Sequence, residues 1–183
     1  MSEAAPTQGW TADSFLQADQ HGFGEAWRYE LVDGQIVAHA APSPDHAAIL
    51  AGLTTALGNR LRGNPRGCRP EAGSGAVPTR QQRDTARIPD LMIRCGDQPV
   101  VVFEIVSPSE LRARNAPDRK RRDLMDTASI VEIVEVYQDF AAHIYRRQPD
   151  AWTFALVEGA EATVHLESVA IELPLAESFE FVA

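Results

Sequence analysis

Apolar positions along this chain follow two rhythms, one helical and one strand-like. Between residues 43 and 62, SPDHAAILAGLTTALGNRLR, the residues Ile49, Leu50, Leu53, Ala56, Leu57 and Leu61 recur at steps of three and four. That spacing gathers them on one stripe of an α-helix. Ser43 can cap it, Pro44 suits the first helical position, and Asp45 favours the positive end of the dipole. TADSFLQAD (11–19) reads as a shorter helix with Thr11 as N-cap and Asp13 in the first turn, ended by Gly22 and Gly24. A third helix is predicted over about 117–127.

Elsewhere the period is two. RYELV (28–32) and QIVAHA (35–40) flank Asp33-Gly34, the pattern of a hairpin with a type I′ turn. Alternation puts Tyr29 and Leu31 on one face and Arg28, Glu30 and Val32 on the other. Glu30 then faces solvent or lines something polar, and the hairpin alone favours solvent. Strands are predicted at 89–94, 99–106 and 130–137, the first two antiparallel across Gly96-Asp97-Gln98. A weakly marked strand at 67–78 lies within the turn-rich stretch 63–87. Further on, YQDFAAHIYRR reads as a hairpin turning near Gln138 to Phe140. AWTFALV (151–157), ATVHLE (162–167) and VAIEL (169–173) read as strands, and ESFEFV as an apolar flap or edge strand. This order predicts an α/β fold bordering on α+β, a mixed sheet flanked by helices. One domain over 1–183 is expected, with 1–24 as an N-terminal helical extension and 25–183 as the core.

Composition narrows the class without naming a function. The 183 residues are 44% hydrophobic and 23% charged, ordinary values for a soluble globular chain. No apolar run is long enough to span a membrane, and MSEAAPTQGW lacks the layout of a secretory signal. A cytoplasmic protein is therefore expected. Cys68 and Cys95 lie in no metal-binding spacing and read as reduced thiols. A formal net charge of -9 argues against general adhesion to nucleic acid or membranes. It leaves room for a local patch: Arg112, Arg114, Arg119, Lys120, Arg121 and Arg122 fall within 11 residues. That cluster either meets phosphates or is a solvated helix face paired with Asp118, Asp123 and Asp126.

Candidate chemistry sits just before it. Asp90 opens one apolar run, PDLMI, and Glu104 interrupts another, VVVFEIV. Desolvation penalises a carboxylate in such a run unless a cation neutralises it. Centring the turn near residue 97 sets Asp90 opposite Glu104, and two adjacent carboxylates suggest a bridging metal ion. Oxygen ligands select a hard divalent ion, most naturally Mg²⁺, with Mn²⁺ a possible substitute. A basic residue is still needed to orient or deprotonate a water, and Lys120 is the only lysine in the chain. Gly73-Ser74-Gly75 is too short to cradle a phosphate, so a small-molecule domain has little support.

Wider motifs carry a resemblance. YELVDGQIV (29–37), SPDH (43–46), IPDLMI (88–93), VVVFEIVSPS (100–109) and a lysine 16 residues after Glu104 together resemble the Uma-type restriction endonuclease family of the PD-(D/E)XK nuclease superfamily. The resemblance implies a restriction-endonuclease-like core and Mg²⁺-dependent hydrolysis of DNA phosphodiesters. It implies Asp90, Glu104 and the Ile105 carbonyl as metal ligands. Val106 stands where the superfamily has its lysine, and Lys120 is the matching position on the next helix. Glu30 and His46 match recurrent family positions near the metal. Ser107, close to Glu104, either lines the site or shapes the turn into Pro108. Arg112, Arg114, Arg119, Arg121 and Arg122 would face DNA, and a homodimer is the expected assembly for cutting both strands. Departures fall in the lysine helix: Ala116 and Leu124 replace a common aspartate and tyrosine, and Glu132-Ile133 a common Tyr-Trp pair. They leave an alternative open, a non-catalytic descendant that binds nucleic acid or protein.

Overall fold

Turn positions and strand alternation sort the chain into two main sheets. The computed structural model describes residues 9–19, 28–39, 41–73, 75, 77–79, 84–107 and 116–182. Arg28–Val32 (β1) and Gln35–His39 (β2) pair antiparallel, from Arg28 opposite His39 to Val32 opposite Gln35. Asp33 (φ 49°) and Gly34 (φ 73°) are both left-handed, the type I′ geometry that Asp-Gly favours. Before this hairpin lies Ala12–Asp19 (α1), where the Thr11 hydroxyl accepts the Ser14 N–H at 3.1 Å. Its Phe15 packs on Leu31 and Ala86. The predicted stops Gly22 and Gly24 lie outside the described residues.

The weakly marked run at 67–78 is two strands in different sheets. Cys68–Ala72 (β3) ends at Gly73, whose φ of 62° turns the chain, and Val77–Thr79 (β4) follows. With Thr85–Arg87 (β5), β4 completes a sheet of order β2-β1-β5-β4. The larger sheet adds Leu91–Cys95 (β6), Gln98–Val106 (β7), Glu132–Tyr137 (β8), Ala141–Arg147 (β9) and Trp152–Glu158 (β10). Its order is β10-β9-β8-β7-β6-β3. Within it β7 and β8 run parallel, which requires a crossover connection, and the helix Ala116–Met125 (α3) lies in that crossover.

Each face of this sheet has its own apolar layer. Pro44–Leu61 (α2), capped by Ser43, buries Ile49, Leu53, Ala56, Leu57 and Leu61 against Leu91, Ile93, Val101, Phe103 and Ile105. On the opposite face Met92, Val102 and Ile133 pack with Leu124 of α3 and Ile130. A small hairpin follows, Thr163–Leu166 (β11) with Ile171–Pro174 (β12).

Two expectations need correction. Of the two readings of ESFEFV the edge strand falls, since Leu175–Ser178 forms a one-turn helix (α4), while Phe179 is buried in the core and Val182 packs against it, as an apolar flap would. Pro174 cannot donate to a ladder, and Leu175 and Ser178, one turn apart, are both buried. Nor are the cysteines free: Cys68 and Cys95 are joined in a disulfide. They are register partners on β3 and β6, so antiparallel pairing brings together residues 27 apart in sequence. No helix among the described residues is long and apolar enough to cross a membrane.

Candidate active site

Asp90 precedes β6, and the register of Leu91 with Phe103 sets it opposite Glu104 of β7. Its carboxylate is 3% exposed as a residue and is held from three sides. Oδ2 accepts the Ile105 N–H at 2.8 Å. Oδ1 accepts from the Arg28 guanidinium, with His46 Nε2 3.4 Å away. Burial alone would raise its pKa; the His46 hydrogen bond and the charges of Lys120 and Arg28 outweigh that and hold it at about 2.

Glu104 is poised the other way. Oε2 accepts from Lys120 Nζ at 2.8 Å, while Oε1 is buried with no hydrogen-bond partner among the described residues. Burial pushes its pKa up to about 8, helped by the charges of Asp90 and Glu30 and opposed by Lys120.

Lys120 reaches the cleft from α3. Its ammonium donates to Glu104 Oε2 at 2.8 Å and to the Ile88 carbonyl at 2.9 Å, and forms an ion pair with Glu30 Oε1 at 3.1 Å. Burial would lower its pKa, but the charges of Glu104, Glu30 and Asp90 raise it well above the ordinary lysine value. The ammonium is therefore charged at neutral pH.

Glu30 does not face solvent, against the hairpin-only reading. It is 1% exposed, because the Arg87 side chain, the Ile88 amide, His39 of β2 and Lys120 of α3 close around it. Ile88 N–H donates to Oε1 at 2.9 Å and Arg87 to Oε2 at 2.8 Å, with His39 Nε2 3.1 Å from Oε2. Burial opposes ionisation, but Lys120, His39 and Arg87 together hold this carboxyl well below the usual range. Arg87 also binds Asp123 of α3 at 2.6 Å, which anchors the lysine helix to the site.

These groups line a cleft of about 630 Å³ that also includes Ile105, Ser107, Arg119 and Glu135. The arginine cluster is mostly engaged. Arg119 pairs with Asp33, Arg121 with Asp118 and with Glu135 at 2.7 Å, and Arg122 Nε donates to the Asp118 carbonyl at 3.1 Å. Arg112 and Arg114 lie outside the described residues. Sequence reasoning missed Arg28, His39, Arg87 and Glu135 as site groups. Glu135 carried a usable signal, since it interrupts the apolar run IVEIVEVY just as Glu104 interrupts its own.

Among the described residues no group of three or more His, Cys, Asp or Glu side chains is arranged to hold a metal ion. The donor chemistry nevertheless fits a hard cation. Asp90 and Glu104 supply oxygen only, and Glu104 Oε1 is a buried acceptor with no partner among the described residues. Mg²⁺ commonly takes one or two carboxylates and completes its shell with waters and phosphate.

A family model named Uma2 and described as "Putative restriction endonuclease" matches residues 12–176. The chain belongs to the Uma2 family. Its fold agrees with the crystal structure of a "putative nuclease belonging to DUF820" from Anabaena variabilis ATCC 29413. That likeness has a TM-score of 0.71 at 17% identity, covering 94% of this chain and 99% of the other. Among curated proteins no relative matches. Membership in the Uma2 family, on this fold, supports a nuclease.

Proposed function

We propose that this Uma2 protein is a metal-dependent endonuclease that hydrolyses DNA phosphodiester bonds in the cleft between the β1–β2 hairpin, β7 and α3. One observation carries the reading: Lys120 and Glu104 Oε1, an acceptor with no partner among the described residues, meet in one buried site beside Asp90. Asp90, Glu104 and the Ile105 carbonyl would hold Mg²⁺, or Mn²⁺ in its place. The ion would polarise the phosphate and lower the pKa of a bound water.

The protein's own groups have distinct tasks. Lys120 is held charged, so it orients the water and steadies developing negative charge on the phosphate instead of acting as general base. Glu30 and Arg87 fix the ammonium's position from below, and Asp123 ties that support to the helix bearing Lys120. Arg28 and His46 neutralise Asp90 and must yield part of that role when a cation arrives.

That pre-existing neutralisation favours a second reading, a nucleic-acid-binding descendant without catalysis, in which Arg28 and Lys120 permanently replace the ion. Cleavage of a plasmid and of a circular single strand in Mg²⁺, Mn²⁺ and EDTA separates the two. Cleavage of at least one of these DNAs is expected with either metal and not with EDTA. Asp90→Ala should abolish it, and Lys120→Ala should slow it by about 10²–10³-fold. Binding of both DNAs without metal-dependent cleavage of either would favour the second reading. Cleavage indifferent to both substitutions would refute the assigned site.

A further inference from the structure

The face of the large sheet that carries Glu104 continues past the cleft as an aromatic shelf. Register runs straight across: Glu104 pairs with Glu135, Glu135 with His143, and His143 with Leu156. Directly paired residues share a face, so Tyr137, Tyr145, Trp152 and Phe154, each an even number of residues from this row, lie on it too. The rings touch in sequence. Tyr137 and His143 have centroids 4.4 Å apart, His143 and Phe154 5.2 Å, and Tyr145 and Phe154 5.3 Å. Guanidiniums cap two of the rings, Arg121 at 4.6 Å over Tyr145 and Arg147 at 4.5 Å over Trp152. Whereas α3 covers Met92, Val102 and Ile133, Phe154 stays 56% exposed and Leu156 46%.

We propose that this shelf stacks unpaired nucleobases next to the phosphate in the cleft, so that the substrate is DNA with single-stranded nucleotides at the cutting point. The proposal rests on the endonuclease reading and adds its substrate class. Three observations select this occupant. The first is continuity, since Glu135 lines the cleft and its register partner His143 belongs to the shelf. The second is ring chemistry: the exposed face of Phe154 accepts a base of any sequence, while Arg121, bound to Asp118 and Glu135, and Arg147, bound to the Met125, Thr127 and Ile130 carbonyls, hold the neighbouring Tyr145 and Trp152 rings in place. The third is depth. The side chains of Asp90 and Glu104 are only 4% and 15% exposed, so the backbone must descend into the cleft, which an intact stacked duplex resists.

Dimensions agree. Three strand steps of about 4.8 Å separate Glu104 from Leu156, about 14 Å, which is the span of about four stacked nucleotides. A second copy of the chain is the weaker occupant. Two exposed apolar side chains among polar ones fall far short of the roughly 800 Å² per partner of a stable interface.

The test is fluorescence anisotropy in Ca²⁺, with an end-labelled 12-nucleotide single strand and a blunt hairpin duplex as probes. Phe154→Ser should weaken single-strand binding by about 5- to 100-fold. Phe154→Tyr should restore it, and duplex binding should change less than twofold. An unchanged single-strand affinity, an equal loss for both probes, or no binding of the single strand by the unaltered protein would overturn the proposal. So would sedimentation showing that Phe154→Ser converts a dimer to a monomer. If the Phe154 contrast holds but no Asp90-dependent cleavage occurs, the nuclease reading fails alone. If cleavage requires Asp90 but Phe154 makes no distinction, the shelf fails alone.

Discussion

Burial makes the charge on Glu104 costly, and its titration can be read from stability. Its folded pKa, about 8, lies above the ordinary 4.5. A raised pKa contributes stability that is fully present below 4.5 and is lost as pH rises through about 8. The metal-free protein should therefore melt at progressively lower temperature between pH 5 and pH 8.5. Glu104→Gln, neutral in both states, should flatten that slope, and Mg²⁺ should reduce it in the unaltered protein. Equal slopes with and without the substitution would remove Glu104 as the strained carboxylate. This residue was legible in sequence because an acid inside VVVFEIV has no ordinary reason to be there. Glu30 entered only through the family resemblance, because alternation names a face but not what covers it. Its cover, Arg87 and the Ile88 amide, comes from a strand 57 residues away in sequence. Arg28 gave no signal, since an arginine at a strand start is ordinary until its partner is known.

Among the elements, α2 was the most legible and α4 the least, and the two meet. A Cβ added to Gly52 would lie 2.6 Å from the Ser178 carbonyl oxygen and 2.8 Å from that of Glu177. Both are backbone atoms, so α2 and α4 would have to separate. Gly52→Ala should cost about 1–3 kcal/mol despite the better helix propensity of alanine. Gly58 is the control on the same helix. A Cβ there meets only Pro70 Cγ at 3.9 Å, so Gly58→Ala should stabilise by up to about 1 kcal/mol. Thermal melts of the two variants should move in opposite directions; a shared direction would mean that the α2–α4 contact is not as close as described. The apolar stripe of α2 announces itself over five turns, whereas a single turn such as α4 has no period to detect. Its position depends on Gly52 having no side chain. The three-residue β5 escaped notice for the same reason, being defined by its neighbours β1 and β4.

At the scale of the whole molecule, the mixed sheet flanked by helices was predictable from the order of rhythms, while its covalent tie was not. The disulfide joins edge strand β3 to β6, the strand that begins directly after Asp90. It closes a loop spanning 27 residues, long enough for the cross-link to restrict the unfolded chain substantially. Loop entropy for that length corresponds to about 3–4 kcal/mol, and a chain of this size loses about 2–4 °C in Tm per kcal/mol. Reduction should therefore lower Tm by about 6–16 °C. Cys95→Ser should melt like the reduced protein and should not respond to reductant, because it lacks the bond from the start. The packing around the tie argues for a local consequence as well. Glu71 of β3 binds Arg94 of β6 at 2.9 Å, and the Gly73 N–H after β3 donates to the Asp90 carbonyl at 2.9 Å. Loosening β3 thus releases one of the contacts on the Asp90 backbone. Hydrogen exchange should show the 68–73 and 91–95 amides opening first on reduction, ahead of β8 and β9. Unchanged melting and exchange under reductant would mean that the two thiols are not bonded in solution.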